Sequence, residues 1–349
     1  MDTKVAIIKN IELDKSYIEE AGKVIRDGGI VAFPTETVYG LGANALDSEA
    51  VKKIFIAKGR PQDNPLIIHV SSKDISYLVK SVPDVAKKLI DKFWPGPLTL
   101  ILEKSDIIPN ETSANLNTVG IRMPNSPIAL SLIKASNKPI AAPSANISGR
   151  PSPTEVARCV EDLNGRVNYI IGGESSNIGV ESTIVDCTVN PPIILRPGGI
   201  TLEMLREVDS SIEIDKGLMS KPSDNIKPKA PGMKYRHYAP KADLKIINGK
   251  NEKTVEIMKQ MVENYKGNNK KVAIITTDEN VNLFNDVSVI SLGSEKDLSS
   301  IAKNLFESLR KCDDLSVDYI LCQWFEENGV GLAIMNRLNK AAGYNIINV

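Results

Sequence analysis

Thr35, Thr37, Lys58, Arg60, His69, Thr118, Arg122, Ser144, Asn146, Ser182 and Arg196 share one property: each falls at or just beyond the end of an expected strand or helix. Lys58, Arg60, Arg122 and Arg196 are cations. Arginine offers planar paired donors and lysine a compact point charge, so the set suits a multiply charged anion. Taken singly, most have an ordinary structural explanation. Lys58 and Arg60 can be a solvated helix end, His69 a structural residue at a strand end, and Ser144, Asn146, Ser182 and Thr183 caps or turns. Arg122 resists that treatment, because it interrupts an apolar run and arginine is rarely buried without a partner. Arg196 closes a strand just before Pro197-Gly198-Gly199, a setting that suggests anion binding. The chemistry on offer is positioning and electrostatic stabilisation of phosphates rather than covalent catalysis. The sequence has no G-x-x-x-x-G-K-[ST] and no G-x-G-x-x-G, so neither a P-loop nor a dinucleotide fingerprint is indicated. It has no close carboxylate pair, His-rich metal set or Ser/His/Asp arrangement.

The elements that must position these residues read as an α/β chain. Residues 30–33 are an apolar strand that Pro34 stops, because proline has no N–H to donate. Thr35, Glu36, Thr37 and Tyr39 follow, then Gly40 and Gly42, as a polar, glycine-bearing turn at the strand's carboxyl end. Before that strand, Ser16 and Glu19 form a capping-box pattern, with Ile18, Ala21, Val24 and Ile25 on one helical face. Helices are expected over 48–57, 84–93, 128–135 and 154–163. Strands are expected over 66–70, 98–102, 118–123, 139–142, 167–171, 184–187 and 193–195. Residues 215–241 are rich in Lys, Pro, Ser and Gly and read as a linker. Its second part, APGMKYRHYAP, packs Tyr235, His237 and Tyr238 with two cations between prolines and is too particular for a spacer. Beyond it, strands and helices alternate, which predicts a small doubly wound parallel sheet.

Composition narrows the class. The 349 residues suit two domains. Lys+Arg and Asp+Glu balance at 43 each, against the basic excess usual for gripping a nucleic-acid backbone. Cys159, Cys187, Cys312 and Cys322 form no C-x-x-C pair, and only two histidines accompany them, so a structural zinc site is not expected. No signal segment and no apolar run of about 20 residues is present. A cytoplasmic protein with reduced thiols and no membrane span is expected.

FPTETVYGLGANA, the K-x-R pair in AKGRPQDNPLIIHV, WPGPLT, VGIRMP, AAPSANISGRPSPT, GVESTIVD and LRPGGI, in this order and spacing, resemble the YrdC-type threonylcarbamoyladenylate synthases over roughly residues 15–205. The linker and following α/β region resemble the two-domain form. The resemblance implies a YrdC-like domain (1–210) built on a twisted mixed sheet with a concave, positively charged cavity. It also implies a linker or lid (211–241) over the site and a smaller Rossmann-like parallel-sheet domain (242–349). The activity implied is condensation of L-threonine, bicarbonate or CO2 and ATP to threonylcarbamoyl-AMP and pyrophosphate. A separate transferase complex would then carry the threonylcarbamoyl group to the adenosine beside the anticodon of tRNA. By the same resemblance the catalytic tetrad is Lys58, Arg60, Ser144 and Asn146. ATP would be held by Lys58, Arg60, Asn64, Thr118, Ser144, Ser152, Arg196 and Tyr238. L-Threonine would be held by Thr35, Thr37, His69, Arg122, the backbone at Ala142, and Ser182. Tyr235, His237 and Tyr238 would cover the site and exclude water from labile intermediates. Mg2+ is expected on the phosphates, without a protein cage, and the protein is expected to be a monomer.

Two other readings are weighed. A non-enzymatic RNA-binding module would need the basic–aromatic patch that the balanced charge argues against. A carbamoyltransferase handling carbamoyl adenylate, as in hydrogenase maturation, would carry an acylphosphatase-like domain and zinc-finger cysteines, which this chain lacks.

Overall fold

The computed structural model describes residues 2–220, 228, 230–231 and 237–349. They fall into two units, one of residues 1–148 and 152–235, the other of 149–151 and 236–349. The expected 211–241 linker is therefore divided between them.

A mixed sheet of 11 strands organises the first unit. In spatial order the strands are Lys4–Ile7, Tyr169–Gly172, Val31–Phe33, Gly40–Asn44, Ile140–Ala142, Ile67–His69, Thr118–Arg122, Leu98–Glu103, Thr183–Asp186, Ile193–Arg196 and Glu213–Ile214. Val31, Ala32 and Phe33 are all buried, as befits a strand covered on both faces. The chain leaves the sheet at Pro34, loops through residues 34–39 and returns antiparallel as Gly40–Asn44. Gly40 and Gly42 are thus strand residues and not the turn expected from sequence. The Phe33 ring lies against them: a Cβ on Gly42 would stand 2.8 Å from Phe33 Cε1 and 2.5 Å from Ile140 Cγ2.

The helix Lys15–Arg26 packs on the helix Pro127–Ser136. Ile18, Ala21 and Ile25 join Ala129, Leu132 and Ile133 over Phe33, Ile140 and Tyr169. The capping box does not form. The helix begins at Lys15, and the Asp14 carboxylate before it accepts the amides of Lys9 and Asn10 at 2.8 and 3.0 Å. Glu19 instead faces Lys15 one turn away, at 3.4 Å. The start of the expected linker also differs. Glu213–Ile214 adds a parallel edge strand beside Ile193–Arg196, and Ala230 is buried in a cluster with Ile67, Ile101, Ile184 and Leu195.

The second unit is a five-stranded parallel sheet, in the order Ser288–Ser291, Val272–Thr276, Tyr319–Gln323, Asp243–Asn248, Ile346–Asn348. Counted along the chain, this is the order 3-2-4-1-5. It exchanges the first and fourth strands of the 3-2-1-4-5 order found in dinucleotide-binding sheets. The parallel sheet follows from the strand–helix alternation, but which strand pairs with which is set by the crossovers. The terminal strand Ile346–Asn348 was not expected. Among the described residues, no helix is long and apolar enough to cross a membrane.

Gly42→Ala forces a methyl group into an occupied space. It should cost about 1–3 kcal/mol, the usual toll of overpacking, read as a lower urea midpoint with an unchanged slope.

Candidate functional site

Asp47 starts the helix Ser48–Lys58, its carboxylate accepting the amides of Glu49 and Ala50 at 3.0 and 3.1 Å. The last residue, Lys58, is only 1% exposed although it carries an ammonium. That ammonium donates to the carbonyl oxygens of Ser144 and Asn146, and the Lys58 carbonyl accepts Ser148 N at 2.9 Å. The end of the helix and the 144–148 loop are thereby locked together. Arg60 lies two residues on and reaches the carbonyls of Asn64 and Pro65 at 3.4 and 3.3 Å. Asn64 is buried, and its Oδ1 makes no hydrogen bond. Lys58, Ser144 and Asn146 of the expected tetrad are therefore in one cluster, with Arg60 and Asn64 in the adjoining turn.

A second cluster surrounds Arg122, the last residue of the strand Thr118–Arg122. Its guanidinium is enclosed. Nε donates to Gly96 O at 3.2 Å, Nη1 to Thr37 Oγ1 at 2.9 Å, and Nη2 stands 2.6 Å from Glu36 Oε1. The Arg122 and Glu36 side chains are 4% and 6% exposed, so this is an interior ion pair. Glu36 Oε1 also accepts Asn125 N at 3.0 Å. With Arg122 donating to Thr37, the remaining hydroxyls line up: Thr37 Oγ1 lies 2.9 Å from Thr35 Oγ1, which donates to Val38 O at 2.6 Å. His69 faces Arg122 across paired strands, and its Nδ1 donates to Ile67 O at 3.1 Å. Burial, with the Arg122 charge beside it, pushes the His69 imidazole down to about 3, so it is neutral at physiological pH. Ala142 ends its strand opposite Ile67, two residues before Ser144.

A third cluster surrounds Ser182. Its Oγ lies 2.8 Å from Thr99 Oγ1 and accepts Arg196 Nη2 at 3.0 Å, while Arg196 Nε donates to Ser182 O at 3.0 Å. Arg196 Nη1 reaches Pro231 O at 3.5 Å. The sharp turn at Gly198 makes this packing possible. A Cβ there would fall 2.4 Å from Thr183 N and 2.5 Å from Glu181 O, both backbone atoms that cannot step aside. Ser152 is buried and donates to Glu181 Oε1 at 2.7 Å.

The remaining predicted residues lie elsewhere. Thr118 is at the far end of the Arg122 strand, about 13 Å away by strand rise. Tyr235 lies outside the described residues. His237 and Tyr238 belong to the second unit. There the Tyr238 ring stacks on Phe306 at 5.0 Å, under the Arg337 guanidinium at 5.8 Å. Glu36, Thr99 and Glu181 were not picked out from the sequence, although each touches a residue that was. For Glu36 a signal existed: a buried arginine in an apolar strand demands a carboxylate, and Glu36 lies within the Thr35–Thr37 motif. All four cysteines are buried, and burial pushes the Cys187 and Cys312 thiols up to about 12, which leaves them unreactive.

Two family models match the chain. One, described as telomere recombination, covers residues 23–198. The other, described as the C-terminal domain of threonylcarbamoyl-AMP synthase, covers residues 200–343. A threonylcarbamoyl-AMP synthase of Pyrococcus abyssi is 48% identical over 348 residues, which is 99% of this chain and 100% of that protein. One of Bacillus subtilis is 46% identical over 345 residues, 98% of each. The crystal structure of P. abyssi Sua5 complexed with L-threonine superposes with a TM-score of 0.93 at 47% identity, covering 100% of both chains.

His69 gives this site a pH signature. Its folded-state pKa lies below the ordinary value of 6.5, so the unfolded chain binds the extra proton first. Stability is full above about pH 6.5 and falls on acidification toward 3, by at most about 1.4 kcal/mol per pH unit from this group. In urea titrations between pH 7 and 5, His69→Asn should lose stability less steeply than the wild type. Parallel curves would show that the imidazole is not the titrating group.

Proposed function

The chain belongs to the family of two-domain, YrdC-type threonylcarbamoyl-AMP synthases, and on that premise we propose that it condenses L-threonine, bicarbonate and ATP to threonylcarbamoyl-AMP and pyrophosphate. The observation that carries this reading is the contact at Ser182. A residue assigned to the amino acid touches Arg196, a residue assigned to the nucleotide, so the two substrates would be held side by side.

In this reading Arg122 clamps the threonine carboxylate, with Thr35, Thr37, His69, Ser182 and the Ala142 backbone around the rest of the molecule. Lys58, Arg60, Asn64, Thr118, Ser144, Asn146, Ser152 and Arg196 hold ATP, with Tyr238 assigned to the nucleotide from the linker. The amine, freed of its ammonium proton, attacks CO2 to give a carbamate with release of a proton, or attacks bicarbonate with loss of water. A carbamate oxygen then attacks the α-phosphorus in line as pyrophosphate leaves. Lys58 and Arg60 neutralise the charge that gathers on the phosphates. The enclosure of Lys58 by carbonyl dipoles supports that role, because an ammonium already fixed needs little reorganisation when charge develops. Tyr235, His237 and Tyr238 would exclude water.

Among the described residues, no group of three or more His, Cys, Asp or Glu side chains could hold a metal ion. The donor set is basic and hydroxylic, which suits Mg2+ entering on the phosphates of ATP as part of the substrate. A cytoplasmic monomer passing its product to a separate tRNA-modifying transferase complex completes the proposal.

Pyrophosphate release from ATP should require both L-threonine and bicarbonate. Lys58→Ala should lower it at least about 100-fold. Release that ignores threonine would remove threonine as the substrate, and a fully active Lys58→Ala would remove the assigned phosphate site.

A further inference from the structure

Two buried polar atoms in the Arg122 cluster are left without a hydrogen bond: Glu36 Oε2 and Arg122 Nη2. Nη2 is close to Glu36 Oε1, 2.6 Å away, yet makes no directed hydrogen bond. Buried polar atoms are nearly always satisfied, so such a pair calls for an explanation. One atom is an acceptor carrying negative charge and the other a donor carrying positive charge. They belong to one interior ion pair flanked by Thr35, Thr37 and His69.

An α-amino acid zwitterion supplies the complement of both: an ammonium that donates and a carboxylate that accepts. We propose that Glu36 is a specificity-determining residue of the amino-acid site, with its Oε2 receiving the substrate ammonium while Arg122 Nη2 receives the substrate carboxylate. This rests on the reading of that cluster as the threonine site.

Charge gives the second argument. Arg122 and Glu36 cancel, and the neutral His69 adds nothing. A zwitterion leaves the enclosed cluster neutral. A plain hydroxy acid, with a carboxylate and no ammonium, would leave one uncompensated negative charge among buried side chains, which is strongly disfavoured. Glu36 therefore selects against acids that lack an amine. Its Oε1, fixed by Asn125 N and Arg122, holds the carboxylate in place for this task.

The test is calorimetric binding to the full-length protein of L-threonine and of 2,3-dihydroxybutyrate, in which a hydroxyl replaces the amine. The wild type should bind threonine and reject the hydroxy acid by at least 100-fold. Glu36→Gln removes the negative charge. It should weaken threonine binding at least tenfold and strengthen hydroxy-acid binding, shrinking the ratio at least 30-fold, while the affinity for ATP stays within twofold. A loss that is equal for both ligands, or one that extends to ATP, would mean a merely structural role and overturn the proposal. Glu36→Asp covers the case in which Glu36→Gln does not fold. It should lose threonine affinity but still reject the hydroxy acid, and equal binding of both ligands would overturn the assignment. A wild type that binds no threonine would instead overturn the functional reading beneath it, and this assignment with it.

Discussion

An ion pair in the interior of a protein is costly to assemble and more costly to break, since removing one partner strands the other for about 3–5 kcal/mol. The Arg122–Glu36 pair imposes that constraint on the first unit. It binds the end of one strand to a loop that leaves another, and the same guanidinium also holds the Thr37 hydroxyl and the Gly96 carbonyl. The loop 34–39 is held from a further side as well. Ile178 N donates to Glu36 O at 2.9 Å, and Ser176 Oγ donates to Thr35 O at 2.9 Å. A segment that carries three adjacent polar side chains inward is thereby given one conformation. Pre-organisation of this kind lets a site bind without first ordering itself.

The Lys58 cluster fixes its cation on backbone carbonyls. Lys58 ends its helix, and its ammonium donates to the carbonyl oxygens of Ser144 and Asn146. Partial charges can hold an ammonium in place without cancelling it, whereas a carboxylate cancels it.

Much of this was legible in the sequence where one residue contradicted its surroundings. Arg122 stood out because it interrupts an apolar strand, and Lys58 with Arg60 because a helix ends between them. What could not be read depended on tertiary pairing. Glu36 sits in a Pro-Thr-Glu-Thr stretch that looks like a solvated turn, and its partner is distant in sequence. Gly40 and Gly42 read as turn residues from their flexibility, but they serve a strand that must lie flat beneath the Phe33 ring. The strand Lys4–Ile7 escaped notice because only Ala6 in it is buried, so it shows no two-sided alternation. The capping signal at Ser16 failed because a competing carboxylate, Asp14, already ordered the preceding loop. In the second unit the alternation of strands and helices identified the architecture, but strand order is decided by how crossovers pack and leaves no local trace.

The order of strands in the large sheet has a consequence for how the chain reaches its native state. Lys4–Ile7 and Val31–Phe33 both pair with Tyr169–Gly172, and Leu98–Glu103 pairs with Thr183–Asp186. These three early strands each wait for a late one on at least one side. Pairings of such long sequence separation must close large loops before they are rewarded, which makes folding slow. On the ribosome, Lys4–Ile7 has no partner strand, and Val31–Phe33 only Gly40–Asn44, until residues 169–172 have emerged. Until then, apolar edges such as Val31–Phe33 are exposed to mispairing, the period in which a nascent chain of this topology depends most on chaperones.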